Sequence, residues 1–424
     1  MTEEFLQFIW KYGLFERNGL LTDTGEEIRV ISMGEHNQDS GPDFINARVR
    51  IGSTTWAGNV EIHMRSADWF VHGHQTDKAY DNVILHVVYR NDRPAVRSNG
   101  YIIPTLVLPC NEQLYSNYQQ LTGHRGGIPC HGKVHRVEPL LLDCWLSSLV
   151  IDRLMQKAEH LAVYLQGRAF NWEEAFYVSL ARSFGFGLNA GPFELVARSL
   201  PLPVLHRHRN NPLQVEALLM GQAGFLEDGK MFAGYYETLR AEYLHLRRKY
   251  KLKPVEKHLW KFLRLRPVNF PTIRLAQFAS LIQQSEGLFS RVLSCPDIPG
   301  LRIFFTAGVS DFWKAHYSFE KTSVLKTKTL GEESFYNIVI NTVIPFLFVY
   351  GNKNGREEIK DKALDWLNRI PAENNRVVRK WNRAGIRPSS AFYSQALLQL
   401  SEKFCSHRRC LACSVGTQLI REGI

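Results

Sequence analysis

The sequence predicts an α/β domain followed by a mostly α-helical one. A change of period along the chain and the chain's length carry that expectation. Up to residue 137 the apolar residues come in short runs that alternate with polar ones, the period of a strand; from Glu138 onward they recur at three- and four-residue steps, the period of a helix. The chain is 424 residues long, more than one hydrophobic core ordinarily serves. The expected division is an α/β domain over 1–137, a helical domain over 138–400 and a cysteine-rich tail over 401–424. With 45% apolar and 22% charged residues the composition is that of a folded chain, which removes disorder as the general description.

Glu3 to Tyr12 opens the chain as a helix. Strands are expected over Ile28–Ser32, Phe44–Ile51, Trp56–His63, Val83–Tyr89 and Tyr101–Leu108, because turn formers such as Gly41-Pro42, Gly52-Ser53 and Asn91-Asp92 bound them. Helices are expected over Leu140–Leu165, Trp172–Phe184, Pro192–Leu200, Leu213–Leu219, Phe232–Tyr250, Ile273–Gln284, Phe335–Tyr350, Lys360–Arg369 and Ser389–Phe404. Pro201, Pro203, Pro254, Pro267, Pro271 and Pro299 punctuate them. No fixed-period repeat stands out, so no solenoid is expected.

The N-terminus starts acidic and lacks a basic stretch before an apolar core, so it does not read as a signal peptide. The most apolar run, Ile338–Tyr350, is too short to cross a bilayer and contains Pro345. Seven cysteines, three of them crowded at the C-terminus, fit a reduced cytoplasm with a metal site better than a disulfide framework. A cytoplasmic protein with no membrane partner is expected.

The formal net charge is +11, and its location matters more than its size. Between Arg240 and Arg274 eleven Lys/Arg stand against two Glu, so most of the excess sits there. Such concentration predicts a polyanion partner, nucleic acid, held by Arg247, Arg248, Lys249, Arg264, Arg266 and Arg274. Tyr243, Tyr250, Trp260, Phe262 and Phe270 interleave with these cations, able to stack on bases or to fill a helical core. A solvated helix face is the plainer account of any charge run.

The densest chemical signal lies between Gly34 and Asp92. In the strand VEIH, alternation sends Val60 and Ile62 to one face and Glu61 and His63 to the other. Asp43 stands just before the preceding strand, and the turn at Gly52–Thr55 would bring it back beside Glu61. Two converging carboxylates suit a hard divalent ion, Mg²⁺ or Mn²⁺, able to activate water against a phosphodiester. A second arrangement uses His63, His72, His74, Asp77 and His86, whose imidazoles suit zinc or iron; each histidine taken singly is more ordinarily structural.

Pro42-Asp43 followed by Glu61-Ile62-His63, with the order helix, three strands, helix, strand, resembles the PD-(D/E)XK pattern of restriction-endonuclease-like nucleases. The resemblance implies a mixed sheet, a metal held by Asp43 and Glu61, and His63 at the position where the family has a lysine that positions or activates water. Lys78 is a candidate substitute from the following segment. On this basis the expected function is a metal-dependent phosphodiesterase acting on DNA or RNA. The alternatives are an inactive nucleic-acid-binding or scaffold protein of the same fold, and a His/Asp transition-metal hydrolase of a small substrate.

The tail reads FCSHRRCLACSVG, in which Cys405, Cys410 and Cys413 have the spacing of metal ligands. Cys130 is the first choice of fourth ligand, followed by Cys110, Cys144 and His407; zinc and [4Fe–4S] both suit such a set, and three idle thiols are the plainer alternative. The plan is similar to the distant-cysteine iron–sulfur site of some helicase–nuclease subunits, with different spacing. The segments FIWKYGLF, GEHNQDSGPDF, GNVEIH, SADWFVHGHQTDKAY and NVILHVV, with EALLMGQAGFL, RPVNFPTIRLAQFA and the cysteine tail, resemble a bacterial family known as domain of unknown function 2851.

Overall fold

Helix α1 spans Glu3–Tyr12, as the apolar spacing predicts. Glu3 and Glu4 lie in its first turn and Lys11 in its last, the polarity the helix dipole favours. Phe5, Leu6, Phe8, Ile9 and Trp10 are buried, while Glu3 and Gln7, four residues apart, share another strip of the surface. The structure is a computed structural model that describes all residues except 38, 166–170, 228–233, 307 and 424, and gives no side-chain surroundings at 160 and 162–165.

Seven strands follow α1: β1 Leu20–Leu21, β2 Glu27–Ser32, β3 Glu35–His36, β4 Phe44–Ile51, β5 Thr54–Arg65, β6 Val83–Arg90 and β7 Thr105–Val107. They form one sheet in the order β1-β2-β4-β5-β6-β7, with β3 beside β4. Pairs up to β4–β5 are antiparallel, whereas β5–β6 and β6–β7 are parallel, so the sheet is mixed. A parallel neighbour needs a crossover; residues 66–82 supply it with the short helix α2, Asp68–Val71, and two 3₁₀ turns. β6 lies between two parallel neighbours and is buried from Val83 to Val88, a run that is apolar except for His86, as a strand covered on both faces requires. The strand expected over Tyr101–Leu108 shrinks to three residues: Pro104 has no amide to donate, and Ile102 instead bridges to Val96.

By contacts the chain divides into two units, residues 1–146 with 374–387 and 397–424, and residues 147–373 with 388–396. The first holds the sheet, helix α3 Glu112–Gly123 and the terminal segment 401–424. The second is built of helices, among them Trp172–Phe184, Pro212–Gln222 and Pro271–Gln283, around a core that includes Phe176, Tyr177, Phe278, Phe289 and Phe346. The helix expected from Phe232 is described over Tyr235–Tyr250; Phe232 lies outside the described residues.

The apolar run around Pro345 is longer than its sequence suggests. A helical segment continues from Glu332 to Lys353, long and apolar enough to cross a membrane by composition, and 72% of its apolar window is buried inside the second unit. Pro345 cannot donate to the carbonyl one turn earlier and crowds it, and the helix answers with a π-helical turn over Val339–Val343. Burial among other helices is how a core helix satisfies such a surface.

Candidate metal centre

Asp43 meets Glu61 because of a fault in strand pairing. Along β4 and β5 the pairs Ala47↔Gly58 to Ile51↔Thr54 keep one register, and Phe44↔Val60 keeps another, shifted by one residue. The extra residue is Asn46, at φ 58 in the left-handed region that asparagine tolerates better than branched side chains. Gly34, at φ 83, lies against this bulge; a Cβ there would stand 2.6 Å from the Ile45 carbonyl oxygen. Since one residue of slip turns every side chain to the other face, the bulge decides what Asp43 faces. Continuing the shifted register places it across from Glu61.

The two side chains then replace the ladder. The Asp43 amide donates to Glu61 Oε2 (3.0 Å), and the Ile62 amide donates to Asp43 Oδ2 (3.0 Å). Gln7 of α1 donates from Nε2 to Asp43 Oδ1 (2.9 Å). Replacing Asn46 with Val is expected to cost about 1–2 kcal/mol through the left-handed backbone and to weaken the carboxylate pairing, whereas Asn46→Gly stays within about 1 kcal/mol of wild type. Urea midpoints of the three proteins check this; equal midpoints for Val and Asn would mean the bulge does not set the register.

Four histidines surround the same place. His63 Nδ1 shares a hydrogen bond with His86 Nε2 (2.9 Å), and His63 Nε2 shares one with His72 Nδ1 (3.0 Å). Glu61 Oε1 stands 3.3 Å from His74 Nε2 and 3.7 Å from His63 Nε2. His74 Nε2 is buried without a hydrogen-bond partner. His63, His72 and His74 each offer a ring nitrogen within 4.8 Å of the others, and only His72 is exposed. Trp69, fully buried, packs its ring against His63, His74 and His86, and Tyr80 stacks on His74 at 3.7 Å.

Burial dominates the electrostatics. It raises the Asp43 carboxyl to about 7, with the charge of Glu61 adding to the effect and the Ile62 amide opposing it. It raises Glu61 to about 8, with Glu3 adding and the Asp43 amide opposing. Burial pushes His63 down to about 2, helped by repulsion from His86, His72 and His74, and pushes His86 down to about 3. His63 and His86 are therefore neutral, and the two acids hold protons near neutrality unless a cation displaces them. This donor set fits a divalent ion that accepts both carboxylate oxygen and imidazole nitrogen. Mn²⁺ suits it better than Mg²⁺, and Zn²⁺ or Fe²⁺ would take the nitrogens.

The face of the strand that carries Glu61 and His63 is a buried interior, since Glu61 is 5% and His63 1% exposed. α1 and α2 both lie against β5 here, Gln7 of α1 reaching Asp43 and Trp69 of α2 packing on His63. Asp77 is turned away, capping the 3₁₀ turn Lys78–Tyr80 by accepting from the Ala79 amide, and Lys78 is exposed on that turn. Glu3 and Gln7 were missed by the motif reading. Their signal is the four-residue spacing on α1, and Glu3 is raised by burial and by the charge of Asp43.

In the second unit Arg248, Lys249, Arg264 and Arg266 are exposed, and Arg247 is half-buried and paired with Glu227 at 2.5 Å. Arg274 is 5% exposed and is spent on Gln277, Asn269 and Ser334, so it is no surface contact for phosphate. Tyr243 and Trp260 are buried, Phe262 and Phe270 half-buried, and the Tyr250 hydroxyl pairs with His208; the aromatics chiefly fill a core. Cys144 is exposed and Cys110 half-buried, whereas Cys130, Cys405, Cys410 and Cys413 line one pocket.

A family described as "Protein of unknown function (DUF2851)" matches residues 3–376, a span that includes the whole candidate centre and ends before the cysteine tail. No curated protein and no solved structure matches the chain significantly.

Proposed function

The chain belongs to the family of proteins of unknown function DUF2851, and we propose that its first unit is a metal-dependent phosphodiesterase of restriction-endonuclease-like build. The observation that carries this reading is the delivery of Asp43 and Glu61 to one buried spot, from the start of one antiparallel strand and the middle of the next. The sheet order supports it: a helix, an antiparallel run, a crossover and a parallel strand follow one another as the PD-(D/E)XK resemblance requires.

Asp43 and Glu61 would hold the ion, with His63 and His74 adjoining and Gln7 orienting Asp43. A divalent ion there supplies an acidified water and positive charge for a phosphate oxygen. Neutral His63 sits where the resemblance places lysine; its two ring nitrogens are held by His86 and His72, so it would orient the surroundings of the ion without itself taking a proton. Exposed Arg248, Lys249, Arg264 and Arg266 of the second unit offer a surface for a polyanion.

Cleavage of plasmid and oligonucleotides with Mg²⁺ or Mn²⁺ tests the proposal. Wild type is expected to cut, Asp43→Asn and Glu61→Gln to lose that activity. Full activity in either variant would sink it, and salt-dependent binding with no cutting would favour the inactive scaffold. A second reading, a transition-metal hydrolase of a small substrate, is favoured by the imidazole trio; tightly held zinc or iron that His74→Ala releases, with no nucleic-acid cleavage, would select it.

Two further outcomes follow. Because both acids hold protons up to about 7 and 8, Mn²⁺ affinity should climb as pH rises, by at most about tenfold per unit for each proton displaced. Calorimetry in buffers of different ionisation heat reads the released protons; affinity independent of pH would mean that other ligands hold the ion. Reversing charge at Arg264 and Arg266 should weaken nucleic-acid binding and flatten its salt dependence by about one to two units of slope. An unchanged slope would remove that surface from the account.

A further inference from the structure

Four of the seven cysteines meet in the first unit. Cys130 is buried before the 3₁₀ turn Val134–Arg136, and Cys405 ends the π-helical turn Ser401–Cys405. Cys410 opens the 3₁₀ turn Cys410–Ala412, and Cys413 is the N-cap of the final helix Ser414–Glu422. With Leu121 and Phe404 beside them, they line one pocket, and none is in a disulfide. We propose that Cys130, Cys405, Cys410 and Cys413 hold a [4Fe–4S] cluster.

The surroundings are arranged for sulfur anions. The amides of Val415 and Gly416 lie close enough to favour the Cys413 thiolate, donors from which a neutral thiol accepts only weakly. Cys413 stands at a helix N-terminus, where the dipole favours negative charge. Arg408 lies close enough to favour the Cys410 thiolate, and its guanidinium is anchored by the Thr122 carbonyl. The loop is tightly built: a Cβ on Gly416 would stand 2.2 Å from the Cys410 carbonyl oxygen.

Spacing selects the group. A single zinc ion binds sulfur at about 2.3 Å, so the edges of its tetrahedron are about 3.8 Å. Among the described residues only His63, His72 and His74 bring three ligating atoms within 4.8 Å of one another, so no three of the four sulfurs do. Sulfurs spaced too widely for one ion are what the four outer thiolates of an iron–sulfur cube require. Insertion of a preformed cluster replaces four S–H bonds by four S–Fe bonds and releases the protons, with no change of oxidation state.

Full-length protein purified without oxygen is expected to be brown and to contain iron and acid-labile sulfide in equal amounts, about four of each per chain. Dithionite should bleach its visible absorption. Cys130→Ser and Cys413→Ser should each lose most of the iron, while Cys144→Ser, on an exposed cysteine, should keep it. About one zinc per chain without iron, or metal-free protein in which all seven thiols titrate, would overturn the proposal. So would iron retained in Cys413→Ser. The wild-type metal and sulfide content decides the matter even if the serine variants fail to fold.

Discussion

Replacing Glu61 with Gln is expected to reduce Mn²⁺-dependent cleavage by more than about 10²-fold, the upper range for losing even an outer partner of a metal ligand. The fold should survive, because the amide oxygen of Gln can still accept from the Asp43 amide. Stability should then depend on pH differently. In wild type without a cation, burial raises Glu61 from 4.5 to about 8, so the folded state binds a proton more tightly than the unfolded state does. The associated stabilisation is full below about 4.5 and is lost as pH rises through about 8. At about 1.4 kcal/mol per unit it amounts to a few kcal/mol. Urea midpoints in metal-free buffer should therefore fall between about pH 5 and pH 9 in wild type and fall less in Glu61→Gln. Saturating Mn²⁺ should restore the alkaline loss in wild type alone. A variant with wild-type turnover, or one whose midpoint follows the wild-type pH curve, would show that Glu61 neither binds the ion nor carries the buried charge.

Much of the frame that positions these groups is legible from period alone. α1 and β4 fall where apolar spacing puts them, and Trp172–Phe184 does too. The pair Asp43 and Glu61 was also legible, but through motif and strand order. The bulge that makes the pair meet was not. Asn46 sits in a run of strand formers, and nothing in FINARVRI announces a left-handed residue there. Pairing the two strands through their turn without the bulge would have put Asp43 opposite Ile62. Burial was the other hidden quantity. Glu61 and His63 alternate with apolar neighbours as a half-exposed strand would, yet every residue from Val60 to His63 is buried. Alternation gives faces, and only packing says whether a face is wet. Arg274 illustrates the same limit, as a cation in a basic run that is spent on interior amides and a serine hydroxyl.

The burial has a consequence for chemistry. A carboxyl pair and a row of imidazoles in water would each titrate near their ordinary values, and the site would hold charge without a metal. Packed under α1 and α2, the acids favour protons and the imidazoles favour neutrality. A divalent cation answers both conditions at once, replacing protons on the acids and accepting the lone pair of a neutral imidazole such as His74, whose Nε2 has no hydrogen-bond partner. The same enclosure suits a neutral ring: His63 is held between His86 and His72.

Trp69→Ala is expected to destabilise the protein by about 3–5 kcal/mol, the range for truncating a fully buried large aromatic. Trp69 is fully buried in a cluster with Tyr80, Val83, Ala95 and Ile103, and its indole N–H donates to the Val96 carbonyl at 2.9 Å. Truncation therefore opens a cavity and strands an acceptor together. The second effect reaches the site. The indole ring is what separates His63, His74 and His86 from solvent on that side, and burial is the first cause of the low His63 and His86 values. Water admitted into the cavity should let both imidazoles rise toward about 6.5, where protonation near neutrality competes with metal. Trp69→Phe retains most of the ring and lacks only the donor, so its loss should be about 1–2 kcal/mol, with the histidines still neutral. Urea unfolding and histidine titration by NMR separate the two variants. If Trp69→Ala keeps the wild-type midpoint, or if its histidines titrate as before, the indole does not wall off the site and the low basicity of the imidazoles has another source.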